Sequence, residues 1–492
     1  MSAKKVIVIG AGFSGLSAAC CLAQKGFDVT ILEKKNETGG RGRKADVDGF
    51  MFDMGPSWYW MPDVFERFFN SFGKQVSDYY KLERLDPSYR VYWNDGEMNI
   101  PADYVELKKL FESIEKGSAS KLDDYLREAL YKYHVGIDKL VHKPGQSYTE
   151  FLDWELVKGI FKLDVFTSIK THISKKFKHP KLQTLLEFPV LFLGALPEDT
   201  PALYSLMNYA DIKLGTWYPH KGMYQIVEGM FSLAEELGVK FIFNSDVNQI
   251  IVSNKIATQV IANQHIAYDA DVVIGAADYH FIEKKLLPQN CRVYSDKYWD
   301  KRIMAASCLI YYIGFNKKLK NVLHHSLFFD SDFEIHGKEI YTTKQWPTHP
   351  LFYVSIPSIT DDTLAPPECE NLFFLIPVAA GIKGDTEELR ETYFKQILKR
   401  FEKHTGQNIK DTIIYKKTYS ISNFIDDYNS FKGNAYGLAN TLTQTANLKP
   451  TCRSSKIKNL FYTGQLTIPG PGVPPCLISG EVVAKQAIKY YG

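Results

Sequence analysis

Between residues 5 and 33 the chain changes its hydrophobic period twice. Val6-Ile7-Val8-Ile9 is an unbroken β-branched run, the pattern of a strand buried on both faces. Residues 14–25 then place Leu16, Ala19, Cys20 and Ala23 on one helical face, and Gly26 stops that helix. A second β-rich run follows at 28–33, so a βαβ unit is predicted. Residues 100–217 read mainly as helix, with Leu107, Leu110, Phe111 and Ile114 at i, i+3, i+4 and i+7. Residues 222–238 form an amphipathic helix with Ile226, Met230, Leu233 and Leu237 inside. Strands are predicted at 239–243 and at 271–278, the latter ending in small residues, with Asp246-Val247-Asn248-Gln249-Ile250 following the first. Residues 303–316 and 351–379 are apolar and β-rich. Near the C-terminus a buried strand at 459–465 leads through a Gly/Pro turn into a helix from about 476 to 489. No internal repeat or low-complexity linker interrupts this order.

The turn inside the βαβ unit carries the first chemistry. Gly10-Ala11-Gly12-Phe13-Ser14-Gly15 lies between strand and helix, the context that a dinucleotide fingerprint requires. Gly10 permits the tight turn, Gly12 lets backbone approach a pyrophosphate, and Gly15 lets helix and strand pack closely. The helix N-terminus offers free N–H groups and the positive end of its dipole to the phosphates. Glu33 ends the second strand, where its carboxylate can accept from both ribose hydroxyls and repel a 2′-phosphate. That favours FAD or NAD over NADP. Glu33-Lys34-Lys35 leads on to Gly39-Gly40-Arg41, a second close backbone approach with a cation aimed at the pyrophosphate, which favours FAD. Residues 50–58 then read as a strand entering a Gly55-Pro56-Ser57 turn.

Composition changes this picture little. The chain of 492 residues is too long for one ordinary core, so two or three intertwined units are expected. It is 45% hydrophobic and 23% charged, with 31 Phe and 30 Tyr. Lysine and arginine number 59 against 56 acidic residues, a balance that gives no global field for nucleic acid. Seven scattered cysteines form no CxxC pair and no cluster with histidine. We read a reduced, cytoplasmic chain with no disulfide framework and no metal site. Lys4 and Lys5 precede an apolar stretch at 6–23, but its glycine spacing suits the βαβ unit better than a secretory signal. No apolar run reaches the ~20 residues of a membrane span. The longest, 371–382, has the length of a buried strand.

Taken together, the glycine loop, the acidic strand end and the GGR segment resemble the flavin amine oxidase superfamily. Asn459-Leu460-Phe461-Tyr462-Thr463-Gly464-Gln465, followed by Thr467-Ile468-Pro469-Gly470-Pro471-Gly472-Val473-Pro474-Pro475, resembles the bacterial phytoene desaturase family within it. The resemblance spans the chain and is strongest at 5–58 and 459–484. It implies an α/β plus α+β architecture: a discontinuous Rossmann-like FAD-binding domain (1–99, 218–285 and 450–492), an antiparallel-sheet substrate domain (286–449) and a helical lid (100–217). It also implies that Val247 contacts the adenine through backbone groups. The expected cofactor-binding set is Gly10, Gly12, Phe13, Ser14, Gly15, Glu33, Lys34, Gly40, Arg41, Gly55, Pro56, Ser57, Val247, Gly464, Gln465, Gly472 and Val473. Trp58, Tyr59 and Trp60, which follow the Gly55-Pro56 turn, are candidate walls of an aromatic substrate tunnel, or else interior packing.

The implied activity is FAD-dependent desaturation of an acyclic carotenoid, either phytoene or a later intermediate such as a 1-hydroxycarotenoid desaturated at C3–C4. A quinone or oxygen would take the electrons. A polyene can delocalise a developing allylic cation, and the sequence holds no HEXXH, no GxSxG and no motif that marks a general base. His220, beside a candidate flavin segment, is the one histidine weighed as a catalytic group. Residues 151–181 mix lysines (158, 162, 170, 175, 176, 178 and 181) with apolar residues. Such a stretch is a candidate contact with the inner face of the cell membrane, or else an ordinary lid. Two other activities share the scaffold. One is oxidation of a polar amine; the other is flavin-free carriage of prenyl lipid, as in GDP-dissociation inhibitors.

Overall fold

The computed structural model describes residues 3–147, 150, 163–441 and 443–492. At its centre is a five-stranded parallel sheet in the order Leu460–Tyr462, Val272–Gly275, Lys5–Ile9, Asp28–Leu32, Lys240–Ile242. The β-branched run reads in both directions: Val6 and Val8 pack into the cluster that holds Leu16 and Val483, whereas Ile7 and Ile9 join Val260, Leu286 and Trp299. The helices Phe13–Ala23, Tyr224–Glu236 and Val473–Tyr491 cover the first face. A three-stranded antiparallel sheet (Val247–Ser253, Ile256–Ala262, Ile266–Asp269) packs toward the second. Both faces of the parallel strands are therefore dry, as their composition requires.

A second sheet of seven strands runs Ile413–Tyr419, Ser307–Phe315, Glu370–Val378, Phe352–Ser355, His325–Phe328, Tyr89–Trp93, Gly96–Ile100. Every pairing is antiparallel except that of His325–Phe328 with Tyr89–Trp93, which is parallel. The last two strands come from the segment that the sequence placed with the dinucleotide unit. Residues 89–99 leave that unit because Tyr89–Trp93 is wholly buried and pairs with Ser326 to Phe328.

Helices dominate the described part of 100–217, including Tyr104–Ile114, Ser118–Tyr133, Ile169–Lys176 and Pro180–Glu187. Leu107 and Phe111 are buried, as their spacing required. The basic stretch is only partly described: Lys158 and Lys162, with their apolar neighbours up to residue 162, lie outside the described residues. Several of the remaining lysines face carboxylates. Lys170 meets Glu198 at 3.2 Å, Lys176 meets Glu128 at 2.8 Å and Lys181 meets Asp95 at 2.7 Å. Among the described residues no helix is long and apolar enough to cross a membrane.

Candidate functional site

The parallel strands end along one line, and the loops that leave those ends form a cleft of about 1050 Å³. The first loop turns at Gly10, whose φ of +103° suits glycine, while its N–H donates to Leu32 O at 2.9 Å. A β-carbon on Gly15 would sit 2.1 Å from Gly10 O, so only hydrogen fits there. The helix that follows has Gly12 as N-cap with no side-chain cap and no acid in its first turn. Its N-terminal donors and dipole are thus left for an anion.

Two further segments are stitched onto this loop. Gly39 N–H donates to Ala11 O at 2.8 Å, which holds Gly40 and Arg41 against Gly12. From the other side, helix Val473–Tyr491 lies so close to Phe13–Ala23 that a β-carbon on Gly480 would meet Ser14 O at 2.4 Å. Ser479 Oγ accepts from Gly464 N–H at 3.0 Å, which fixes Gly464 beside Ser14. The two ends of the chain therefore share one cavity wall.

The charges are arranged to match. Glu33 is 8% exposed; its Oε2 accepts from Ala11 N–H at 2.7 Å and its Oε1 from Lys35 N–H at 2.9 Å. Burial pushes its carboxyl above the usual range, and those two N–H groups pull it back. Each oxygen accepts one of those backbone bonds, and the residue lines the cleft. Arg41 donates from Nη2 to Ser430 Oγ at 3.0 Å and lies over the Tyr428 ring at 5.2 Å. Its Nε is buried without a hydrogen-bond partner among the described residues, and no carboxylate there pairs with it. Arg43 and Lys35, by contrast, share the Asp427 carboxylate as salt-bridge partner. Arg41 thus brings a charge with no salt-bridged carboxylate among the described residues to the loop that presents helix N–H groups, with Asp278 as its electrostatic neighbour across the cleft.

Of the residues expected to hold the cofactor, Gly10, Gly12, Phe13, Ser14, Glu33, Lys34, Gly40, Arg41, Val247, Gly464 and Gln465 line the cleft. Gly15 stands behind it as packing. Gly55 also packs: a β-carbon there would lie 1.8 Å from Arg41 O. Pro56 is half-buried beside it, and Ser57 opens onto a separate small cavity with Asp53 and His324. Gly472 and Val473 form the N-cap and first residue of the last helix, outside the cleft lining. Ser245, Asp278, Tyr428 and Cys476 line the cleft without having been anticipated. Asp278 closes a strand that was read as ending in small residues, a signal that was present. Tyr428 had none, because only the approach of distant segments puts it beneath Arg41.

The aromatic triplet divides by strand alternation. Trp58 and Trp60 turn to the seven-stranded sheet, where Trp58 lies 5.3 Å from Tyr89 and 5.5 Å from Tyr353. Tyr59 points away, packs on Phe65 at 4.6 Å and shares a hydrogen bond with Tyr80 at 3.0 Å, so it belongs to the core. His220 stands outside the cleft, partly exposed, with its Nε2 2.7 Å from Glu83 Oε2.

A family model described as flavin containing amine oxidoreductase matches residues 13–488. The chain belongs to this family. As a flavin-containing oxidoreductase it uses FAD, and the residues present fit that group: a glycine-lined wall, an uncapped helix N-terminus, an arginine with no carboxylate partner and a buried strand-end carboxylate. The chain is 40% identical to a carotenoid 3,4-desaturase of Haloarcula japonica, covering 99% of each chain. It is 28% identical to a zeta-carotene-forming phytoene desaturase of Myxococcus xanthus, over 99% of this chain and 94% of that one. Among solved structures, an oxidoreductase from Methanosarcina mazei superposes with a TM-score of 0.62 at 15% identity, covering 98% and 100% of the two chains. That likeness shows the fold.

Proposed function

We propose that this flavoprotein desaturates an acyclic carotenoid, and that the bond it oxidises is C3–C4 near one end of the polyene. The observation that carries this reading is the full-length 40% identity to a carotenoid 3,4-desaturase. The site supports it in kind. Besides the dinucleotide cleft, Trp58 and Trp60 form an aromatic wall with Tyr89 and Tyr353, which suits an extended apolar chain better than a polar amine.

Bound in the cleft, FAD supplies a two-electron acceptor for a hydride from carbon. The chain's own residues do the positioning. Gly10 to Gly15 and the helix behind them hold the pyrophosphate, with Arg41 as its counter-charge; Glu33 holds the ribose, and Val247 meets the adenine. Gly464 and Gln465 hold the ribityl end, next to the Pro469 to Val473 turn. The aromatic wall orients the polyene and keeps water from the developing charge. The substrate is met at the inner face of the cell membrane, and the electrons pass on to a quinone or to oxygen.

The test is direct. Purified yellow protein is given phytoene, a 1-hydroxylated acyclic carotenoid and putrescine, each with a quinone present. A red-shifted polyene spectrum with the carotenoid, and no bleaching of the flavin by the diamine, is the expected result. Anaerobic bleaching by putrescine alone would overturn the reading.

A further inference from the structure

We propose that the His325 imidazole is the polar anchor for the substrate's end group, and that it hydrogen-bonds a hydroxyl carried close to the bond being oxidised. This rests on the carotenoid reading above and names the group that the same site would select.

His325 is fully buried, with a relative exposure of 0%. Its ring stacks on Trp58 at 4.3 Å with an interplanar angle of 11°. Its Nδ1 is engaged by the Tyr353 hydroxyl at 2.7 Å. Its Nε2 is buried and has no hydrogen-bond partner among the described residues. Two neighbouring polar atoms of the wall are satisfied from within the protein. Trp60 Nε1 donates to Thr216 Oγ1 at 2.8 Å, and the Tyr89 hydroxyl donates to Asp211 at 2.9 Å. A buried polar atom left without a partner is costly, and a hydrogen-bonding group brought by a ligand would relieve that cost.

The chemistry of that partner is narrow. The walls are aromatic, so the ligand is apolar along its length. One polar point requires one hydrogen-bonding group. Burial among apolar rings depresses the imidazole pKa and keeps the ring neutral, which suits a neutral partner. A hydroxyl both donates and accepts, so it satisfies Nε2 in either tautomer.

The position is equally restrictive. In a carotenoid hydroxylated at C1, the oxygen is only three bonds from C3. An anchor for it must lie beside the reacting bond and not at a remote tunnel end. Trp58, against which His325 stacks, is half-buried and belongs to the same turn as Gly55, which abuts the Arg41 carbonyl at the cleft. The turn that carries Trp58 thus ties the imidazole's stacking partner to the segment that would hold the cofactor.

The test compares a 1-hydroxylated carotenoid with its unhydroxylated counterpart, both in phosphatidylcholine vesicles, using full-length holoenzyme. The wild type should favour the hydroxylated substrate in kcat/KM, and His325→Leu should lower that ratio by about tenfold, mainly through KM. Dissociation constants from tryptophan quenching of the reduced enzyme, which cannot turn over, should shift in parallel. Should the leucine variant lose its flavin, His325→Gln carries the test. Its amide keeps a hydrogen-bonding group, so a ratio near that of wild type supports the anchor. An unchanged ratio in the leucine variant, or equal losses on both substrates in both variants, overturns the proposal. Wild type that desaturates both carotenoids equally also sinks the anchor alone. Wild type that desaturates neither sinks the carotenoid reading itself.

Discussion

At the scale of single residues the cleft depends on a few buried polar groups. Glu33 bonds two backbone N–H groups with two oxygens. In the Glu33→Gln variant the amide has one oxygen, so its NH₂ must face a donor and leave that donor unpaired. This substitution should therefore raise the flavin dissociation constant about tenfold or more, read by recovery of free-flavin fluorescence. Lys449 is a different case. Its buried ammonium donates to Asn440 Oδ1 at 2.6 Å and Pro469 O at 2.8 Å, and burial lowers its pKa to about 7. Folded protein then binds fewer protons at this site than unfolded protein between about pH 7 and 10.5. Stability should rise with pH across that window. From pH 7 to 9 wild type should gain about 2 kcal/mol relative to Lys449→Met, measured by denaturant melts at each pH. Parallel pH profiles for the two proteins would refute this. Glycines and Glu33 were legible because a local turn fixes their task. His325, Tyr428 and Lys449 were not, since each takes its meaning from a partner far along the chain.

At the scale of elements, the decisive contact is between the first helix and the last. Gly480 lets Val473–Tyr491 lie on Phe13–Ala23, and that closeness sets Gly464 beside Ser14. Gly480→Val would push the helices apart, at a cost of about 1–3 kcal/mol. Flavin should be released on heating well before the far-ultraviolet circular dichroism melts, whereas in wild type the two events should coincide. The sequence located this helix but began it three residues late. Val473 starts it with Pro474 and Pro475 in the first turn, where a missing N–H has no partner to lose. It also missed the hairpin at 89–100. The Asn94-Asp95 turn was the available signal, and Trp93 does pair with Gly96 across it.

At the scale of the whole molecule, charge decides how the lid meets its surroundings. The basic stretch reads as seven lysines in sequence, but carboxylates from distant elements meet Lys170, Lys176 and Lys181. Lys175 and Lys178 remain exposed, as does Phe166 in the same basic stretch. If this face meets a membrane, reversing both charges should abolish most co-sedimentation with anionic vesicles while flavin content stays constant. Retained sedimentation would place the membrane contact elsewhere.

The cleft's shared wall has a temporal consequence. A ribosome delivers the glycine loop long before Gly464, so through all of the intervening synthesis the nascent chain holds half a nucleotide site. Cofactor loading is then a closing event, and a yellow colour certifies that both ends of one polypeptide have met.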